Sequence, residues 1–208
     1  MGTPNPGTPG EHYFSVGPKA PSQRVLLHLH LPDLSLELIV DRGVFSADRV
    51  DTGTKLLLRE APMPGDLAGD VLDLGCGYGP IALTVARRAP AATVWALDVN
   101  ERALALCAVN ARENGVGDRV HAVAAASIPD GVQFTAIYSN PPIRIGKRAL
   151  QALLTTWLAR LAPGGTAWLV VQKHLGSDSL AAWLREQGYA VDRRSSRMGY
   201  RILEVRST

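Results

Sequence analysis

The chain has 208 residues, 46% of them hydrophobic, with 22 Lys and Arg against 19 Asp and Glu for a formal net charge of +3. That is material for one domain with a full core, and no apolar run approaches the length that crosses a bilayer. A sequence pI near 9.1 permits an acidic partner such as RNA without demanding one.

The first ten residues, MGTPNPGTPG, read as a flexible leader with neither the basic start nor the apolar stretch of a secretory signal. Residues 11–208 are expected to form one domain, with 11–66 preceding a core at 67–208. Arg24–Leu31 and Leu34–Val40 are predicted strands, turned tightly at Pro32-Asp33. Asp51 or Thr52 is placed to cap a short helix through Lys55–Glu60, and Pro62–Gly69 reads as a loop.

From Asp70 onward β-like runs alternate with helical ones. The expected order is strand Val71–Leu74, helix Pro80–Arg88, strand Thr93–Asp98, helix Glu101–Asn114 and strand Val120–Ala125. Strand Phe134–Ser139 follows, then helix Lys147–Leu161, stopped by Pro163-Gly164-Gly165. Strand Thr166–Gln172, helix Ser177–Gln187 and two late strands, Ala190–Ser195 and Tyr200–Arg206, end the chain. The alternation implies an α/β fold: a doubly wound, mainly parallel seven-stranded sheet with an N-terminal β-hairpin extension. The last two strands lack a crossover between them and must pair antiparallel.

VLDLGCGYGP is the most informative stretch: an apolar strand carrying Asp73, then Gly75, Gly77 and Gly79, then a helix. Glycine at such a turn lets the backbone bend sharply and approach a ligand. The third glycine of the dinucleotide-binding pattern is missing, since Pro80 stands there. Asp98, about twenty residues on, ends the second strand, where an acid can accept hydrogen bonds from ribose hydroxyls. A second signal is AIYSNPPIRIGK, in which Asn140-Pro141-Pro142 follows a buried strand. Proline lacks an N–H and pushes the residue before it into extended geometry. A rigid turn presenting a carboxamide and backbone carbonyls results; a plain loop stiffener is the alternative.

Taken together, LDLGCGYG, ALDVN and SNPPIRIGK, in this order and spacing, resemble a class I S-adenosylmethionine-dependent methyltransferase. The Asn-Pro-Pro element is similar to that of the subset acting on planar amino nitrogens. EHYFS, GVFSADRVDTGTKLLL and MGYRILEVR narrow the resemblance to the small-domain family of 16S rRNA guanine-N2 methyltransferases and their short archaeal relatives. The resemblance implies S-adenosylmethionine as cofactor, ribosomal RNA or the small-subunit particle as partner, and a cytoplasmic location. It implies that Asp73, Gly75, Cys76, Gly77, Tyr78 and Gly79 surround the methionine part of the cofactor, and that Asp98 and Val99 hold its ribose. It places Asn140, Pro141, Pro142 and Ile143 in the catalytic loop, and Phe45, Asp51 and Thr54 at the methionine end.

Two departures stand out. Ser127 is the only polar side chain where the third strand's end usually carries an acid near the adenine, so the resemblance implies adenine held by its hydroxyl or by backbone contacts; Ile143 stands where the family often has an aromatic residue that stacks on the target base. Alternatives are an amino-nitrogen methyltransferase acting on protein glutamine, DNA adenine or a small metabolite, and a non-catalytic cofactor- or RNA-binding module.

Other residues are assigned to packing. His28 and His30 alternate on a strand, but no third ligand is suggested, so no metal site is expected. Cys76 and Cys107 belong to different elements, so a reduced pair is expected. The four tryptophans read as packing residues. DRRSSRMGYR is a cationic stretch that reads either as a solvated face or, with Arg144, Lys147 and Arg148, as an RNA-backbone contact.

Overall fold

The computed structural model describes residues 23–41, 44, 49–63 and 65–207. The expected leader, the EHYFS stretch and Phe45 lie outside these residues. Strands β1 (Arg24–His30) and β2 (Ser35–Asp41) form the predicted hairpin, with Arg24 opposite Asp41 and His30 opposite Ser35. Then follow α1 (Thr52–Glu60), β3 (Gly69–Leu74), α2 (Pro80–Arg88), β4 (Ala92–Leu97), α3 (Glu101–Glu113), β5 (Val120–Val123) and β6 (Phe134–Ser139). The chain continues through α4 (Lys147–Leu158), β7 (Leu161–Gln172), α5 (Ser177–Glu186), β8 (Tyr189–Arg197) and β9 (Tyr200–Ser207).

β3 to β9 form one sheet in the order β5-β4-β3-β6-β7-β9-β8. The first five of these strands run parallel, and β9 pairs antiparallel with both β7 and β8. Leu72, Leu74 and Ile137 face one side of the central strands, Val71, Ala136 and Tyr138 the other, and all are buried. Burial on both faces is why these runs lack polar alternation. One layer of core packs α4 and α5 on the sheet; the other joins α1, α2 and α3 to the hairpin through Leu29, Leu36, Leu38 and Val40.

Hydrogen bonds also tie the hairpin to α3. Asn110, fully buried, accepts from the Ile39 N–H at 2.7 Å and donates to the Ile39 and Tyr78 carbonyls at 2.9 Å. Asn114 repeats the pattern on the N–H and carbonyl of Glu37. These carboxamides satisfy an edge of β2 that has no neighbouring strand among the described residues, and Asn110 links that edge to the glycine turn.

One boundary departs from the expectation. α4 ends at Leu158, three residues short of the expected end, and β7 begins at Leu161, the residue expected to close the helix and five before the expected strand start at Thr166. The Phe134 N–H takes the Arg160 carbonyl at 2.8 Å, and Leu161 pairs with Phe134. Gly164 (φ 76°) and Gly165 then form an irregularity within the strand rather than a loop. A Cβ at Gly165 would come within 2.8 Å of the Phe134 carbonyl, so only glycine lets the two strands close.

The order of the sheet fixes where a ligand goes. β3 lies between β4, reached in one direction, and β6, reached in the other. Ligands of open α/β sheets bind outside the carboxyl ends of the strands at such a reversal.

Candidate active site

A cavity of about 580 Å³ opens at that reversal. It is lined by the glycine turn after β3, by Leu97–Asn100 after β4, by Asn140–Arg144 after β6 and by Asp51, Thr52 and Thr54 at the start of α1. The volume suits a nucleoside-sized ligand.

The turn after β3 needs its glycines for two different reasons. Gly75, Gly77 and Gly79 have φ of 81°, 55° and 96°, a region that L side chains rarely adopt. A Cβ at Gly77 would meet nothing within 4 Å, and one at Gly75 only Pro142 at 3.9 Å, so their backbone faces open space. A Cβ at Gly79 would instead meet Cys107 Sγ at 2.7 Å and Leu83 Cδ1 at 2.8 Å. Gly79 therefore serves the packing of α2 on α3. Cys76 and Cys107, assigned to different elements, meet here as free buried thiols, and burial pushes the Cys76 thiol up.

The two acids of the turn differ. Asp98 is a cavity residue whose Oδ2 accepts the Gly77 N–H and whose Oδ1 accepts the Asn100 N–H, both at 2.9 Å. Burial raises its pKa, and those backbone bonds act in the opposite sense. It thus fixes the glycine turn and offers spare lone pairs to a polar ligand. Asp73 is only 1% exposed and is not among the cavity-lining residues. Its Oδ2 accepts the Ala82 N–H at 2.9 Å, in the first turn of α2, and its Oδ1 has no partner among the described residues. Burial pushes its pKa up to about 8, with Asp98 adding to the rise. Asp73 positions α2 against the sheet.

Asn140 is held at a defined rotation. Its Nδ2 donates to Asp51 Oδ2 at 2.9 Å and to Thr54 Oγ1 at 3.1 Å. A carboxylate only accepts, so the amide nitrogen must face Asp51 and the amide oxygen must face away. Asp51 Oδ2 also accepts the Thr54 N–H at 3.1 Å, which makes it the N-cap of α1. One carboxylate therefore starts the helix and orients the asparagine. The resemblance gave Asp51 and Thr54 to the cofactor; the geometry adds a bond from each to Asn140, which the sequence did not signal across 89 residues.

The proline turn is tighter than expected. Pro142 has φ −74° and ψ 72°, and the Pro141 carbonyl accepts the Ile143 N–H at 2.8 Å, an inverse γ-turn. The Pro142 carbonyl accepts from Ile145 at 3.1 Å. These carbonyls are engaged, not free, although each keeps a second lone pair.

Val99, 56% exposed, lines the cavity beside Asp98. Ser127 is exposed in a short 3-10 turn and is not a lining residue; Ala125 takes that place. The far wall holds Leu153, Trp157, Gln172, Leu175 and Tyr200, with Arg49 from the pre-helix segment. Sequence patterning missed these because they come from α4, from the end of β7 and from the β8–β9 hairpin. Among the described residues no group of three or more His, Cys, Asp or Glu is placed to hold a metal, and no helix is long and apolar enough to cross a membrane.

The C-terminal arginines are engaged. Arg193 pairs with Asp178 at 3.0 Å, Arg194 with Glu204 at 3.2 Å and Arg197 with Glu60 at 3.5 Å. Arg201 is buried on Ser177 and Asp178. That stretch is largely neutralised, and Arg201 is out of reach of an RNA.

The same framework is seen in a solved structure, a 16S rRNA N2 methyltransferase from T. thermophilus in complex with AdoMet and guanosine. It superposes with a TM-score of 0.78 at 26% identity, over 92% of this chain and 52% of that one. The cavity at the strand reversal, open along a glycine turn and bounded by a carboxylate, suits the same cofactor. The fold and site define a class I methyltransferase that uses S-adenosylmethionine. The chain belongs to the methyltransferase small domain family, whose model matches residues 35–204. It is 35% identical to the uncharacterized protein YbxB of Bacillus subtilis, over 94% of this chain and 98% of that protein. It is also 35% identical to the ribosomal RNA small subunit methyltransferase C of Shewanella amazonensis, over 74% of this chain but 45% of that protein. The chain thus spans about half the length of the named ribosomal enzymes and nearly all of the Bacillus relative.

Proposed function

We propose that the chain methylates an exocyclic amino nitrogen, the 2-amino group of a guanine in 16S ribosomal RNA. The observation that carries the reading is the locked carboxamide of Asn140. Both of its described bonds are made by nitrogen, so Oδ1 is the acceptor left for a substrate N–H. An aromatic amino group is a poor nucleophile because its lone pair is delocalised into the ring. Accepting its protons, at Asn140 Oδ1 and at the second lone pair of the Pro141 carbonyl, holds the nitrogen in place and favours lone-pair localisation. S-adenosylmethionine, when bound, would supply the electrophilic methyl: its S–C bond breaks as the N–C bond forms, S-adenosylhomocysteine is the leaving group, and the amino nitrogen loses one proton to water. The chain's contribution is chiefly positioning, for which effective molarities are large. Asp98 accepts from the ribose hydroxyls, Gly75 and Gly77 let the backbone approach, and Val99 covers the base side of that subsite. The ribosomal enzymes matched in sequence and structure favour RNA over protein or metabolite acceptors.

Tritium transfer from labelled S-adenosylmethionine, offered RNA and protein from a strain lacking this chain, tests the reading. Label recovered as N2-methylguanosine from 16S rRNA is expected. Label in protein, in adenine or in no macromolecule despite cofactor binding sinks it.

Two quantitative outcomes follow. Asp98→Ala is expected to weaken S-adenosylmethionine binding by roughly 1.5–3 kcal/mol, the worth of a hydrogen bond to a charged group. Unchanged affinity by calorimetry removes Asp98 from the cofactor site. RNA contact moves from the C-terminal stretch to Arg144, which lines the cavity, and to Lys147 and Arg148 in the first turn of α4, all exposed and without an ion pair among the described residues. Alanine at these positions is expected to lower the slope of log affinity against log salt by about one per lost phosphate contact. Alanine at Arg193 and Arg194 is expected to leave it unaltered. The reverse pattern in a salt titration would return the contact to β8.

A further inference from the structure

We propose that Tyr200 is the platform on which the target base stacks, with Gln172 holding its ring; the inference rests on the reading of a nucleobase acceptor. The order of strand ends sets the geometry. Asp98 follows β4, Gly75 follows β3 and Asn140 follows β6, so the cofactor side of Asn140 is the β3–β4 side. An amino group held by Asn140 must bring its ring in from the other side, over β7 and β9. There β7 ends at Gln172, which pairs directly with Tyr200, the first residue of β9. Both line the cavity.

Tyr200 is seated and fixed. Gln172 Nε2 donates to its hydroxyl oxygen at 3.1 Å. One edge of the ring lies over Gly53, where a Cβ would come within 2.6 Å of Tyr200 Cε1 and 2.9 Å of Asp51 Oδ2. Gly53 therefore seats the ring beside the carboxylate that orients Asn140. The platform and the acceptor share one support.

No other described wall offers an aromatic face. The aromatic residues among the described lining are Tyr78, Trp157 and Tyr200. Tyr78 and Trp157 are 2% and 5% exposed, and Trp157 packs against Phe134 and Arg160. Tyr200 is only partly buried. Ile143, next to the proline turn, contributes an aliphatic edge. Stacking on an aromatic side chain is the general way a splayed-out base is held.

The test compares wild type, Tyr200→Leu and Tyr200→Phe on undermethylated 30S particles and their free 16S rRNA. Tyr200→Leu is expected to raise the KM for RNA roughly 10- to 100-fold, with affinity for S-adenosylmethionine unaltered. Tyr200→Phe is expected to recover most of that loss. A Leu variant with wild-type KM, or one that loses cofactor affinity in parallel, overturns the proposal. Saturation-transfer NMR of guanosine on the S-adenosylhomocysteine complex reads the platform without turnover. Ring-proton signals are expected in wild type and lost in Tyr200→Leu; equal signals in both, or none in wild type, overturn it. A protein that binds guanosine through Tyr200 yet methylates no ribosomal RNA would sink the ribosomal reading and leave the platform standing.

Discussion

Asn140→Ala is expected to lower the single-turnover rate of methyl transfer by about 100-fold or more, since loss of an aligned near-attack geometry has effects of that order. Cofactor affinity is expected to stay within a few-fold of wild type. The two effects separate because the glycine turn is braced by Asp98, through the Gly77 N–H, and not by Asn140. Asn140 is braced from the opposite side, by Asp51 and Thr54. Asn140→Asp keeps an acceptor but is expected to be as damaging as alanine. Its carboxylate would face the Asp51 oxygen that now accepts at 2.9 Å, and two like charges cannot share that contact. Asp51→Asn is expected to fall between them: it keeps a hydrogen bond but no longer dictates which end of the Asn140 amide faces it. Single-turnover kinetics beside calorimetric cofactor binding checks the series. If Asn140→Ala turned over near the wild-type rate, the Asn-Pro-Pro segment would be a structural turn and the amino-methyltransferase reading would fall.

Much of this site was legible because it depends on local rules. The glycines need positive φ, and a strand-ending acid sits where a doubly wound sheet binds ribose. Proline stiffens whatever follows a strand. The unreadable part is long-range. Nothing local tells that Asp51 reaches Asn140, that Gly53 leaves room for Tyr200, or that Cys76 and Cys107 meet. The same applies to charge. Arg193, Arg194, Arg197 and Arg201 look like a cationic strip until strand pairing and α5 bring Asp178, Glu204 and Glu60 against them. Asp73 followed the resemblance toward the cofactor, yet strand alternation turns it inward, beneath α2. The end of α4 departs from its expected place because Pro163-Gly164-Gly165 reads as a helix stop, whereas pairing with β6 draws these residues into a bulged strand.

The glycine turn allows a sharper test, because two of its members are glycine for unlike reasons. Gly79→Ala is expected to destabilise the fold by roughly 2–5 kcal/mol, combining about 1–2 for a left-handed L-residue with about 1–3 for overpacking. For a domain of this size that lowers Tm by about 5 to 20 °C. The overpacking arises because the new methyl would lie 2.7 Å from Cys107 Sγ and 2.8 Å from Leu83 Cδ1, where α2 meets α3. Gly77→Ala has the backbone strain alone, about 1–2 kcal/mol, since nothing lies within 4 Å of its added Cβ. Its methyl enters the cavity, so its larger effect should be on S-adenosylmethionine affinity. Denaturant midpoints and calorimetry on both variants separate the two. Cys107→Ala combined with Gly79→Ala adds a check, since removing the sulfur relieves one of the two close contacts and should restore part of the stability, though not the share due to φ. Equal midpoints for Gly77→Ala and Gly79→Ala would mean that α2 and α3 yield at this contact, and that the whole turn is glycine for the ligand's sake.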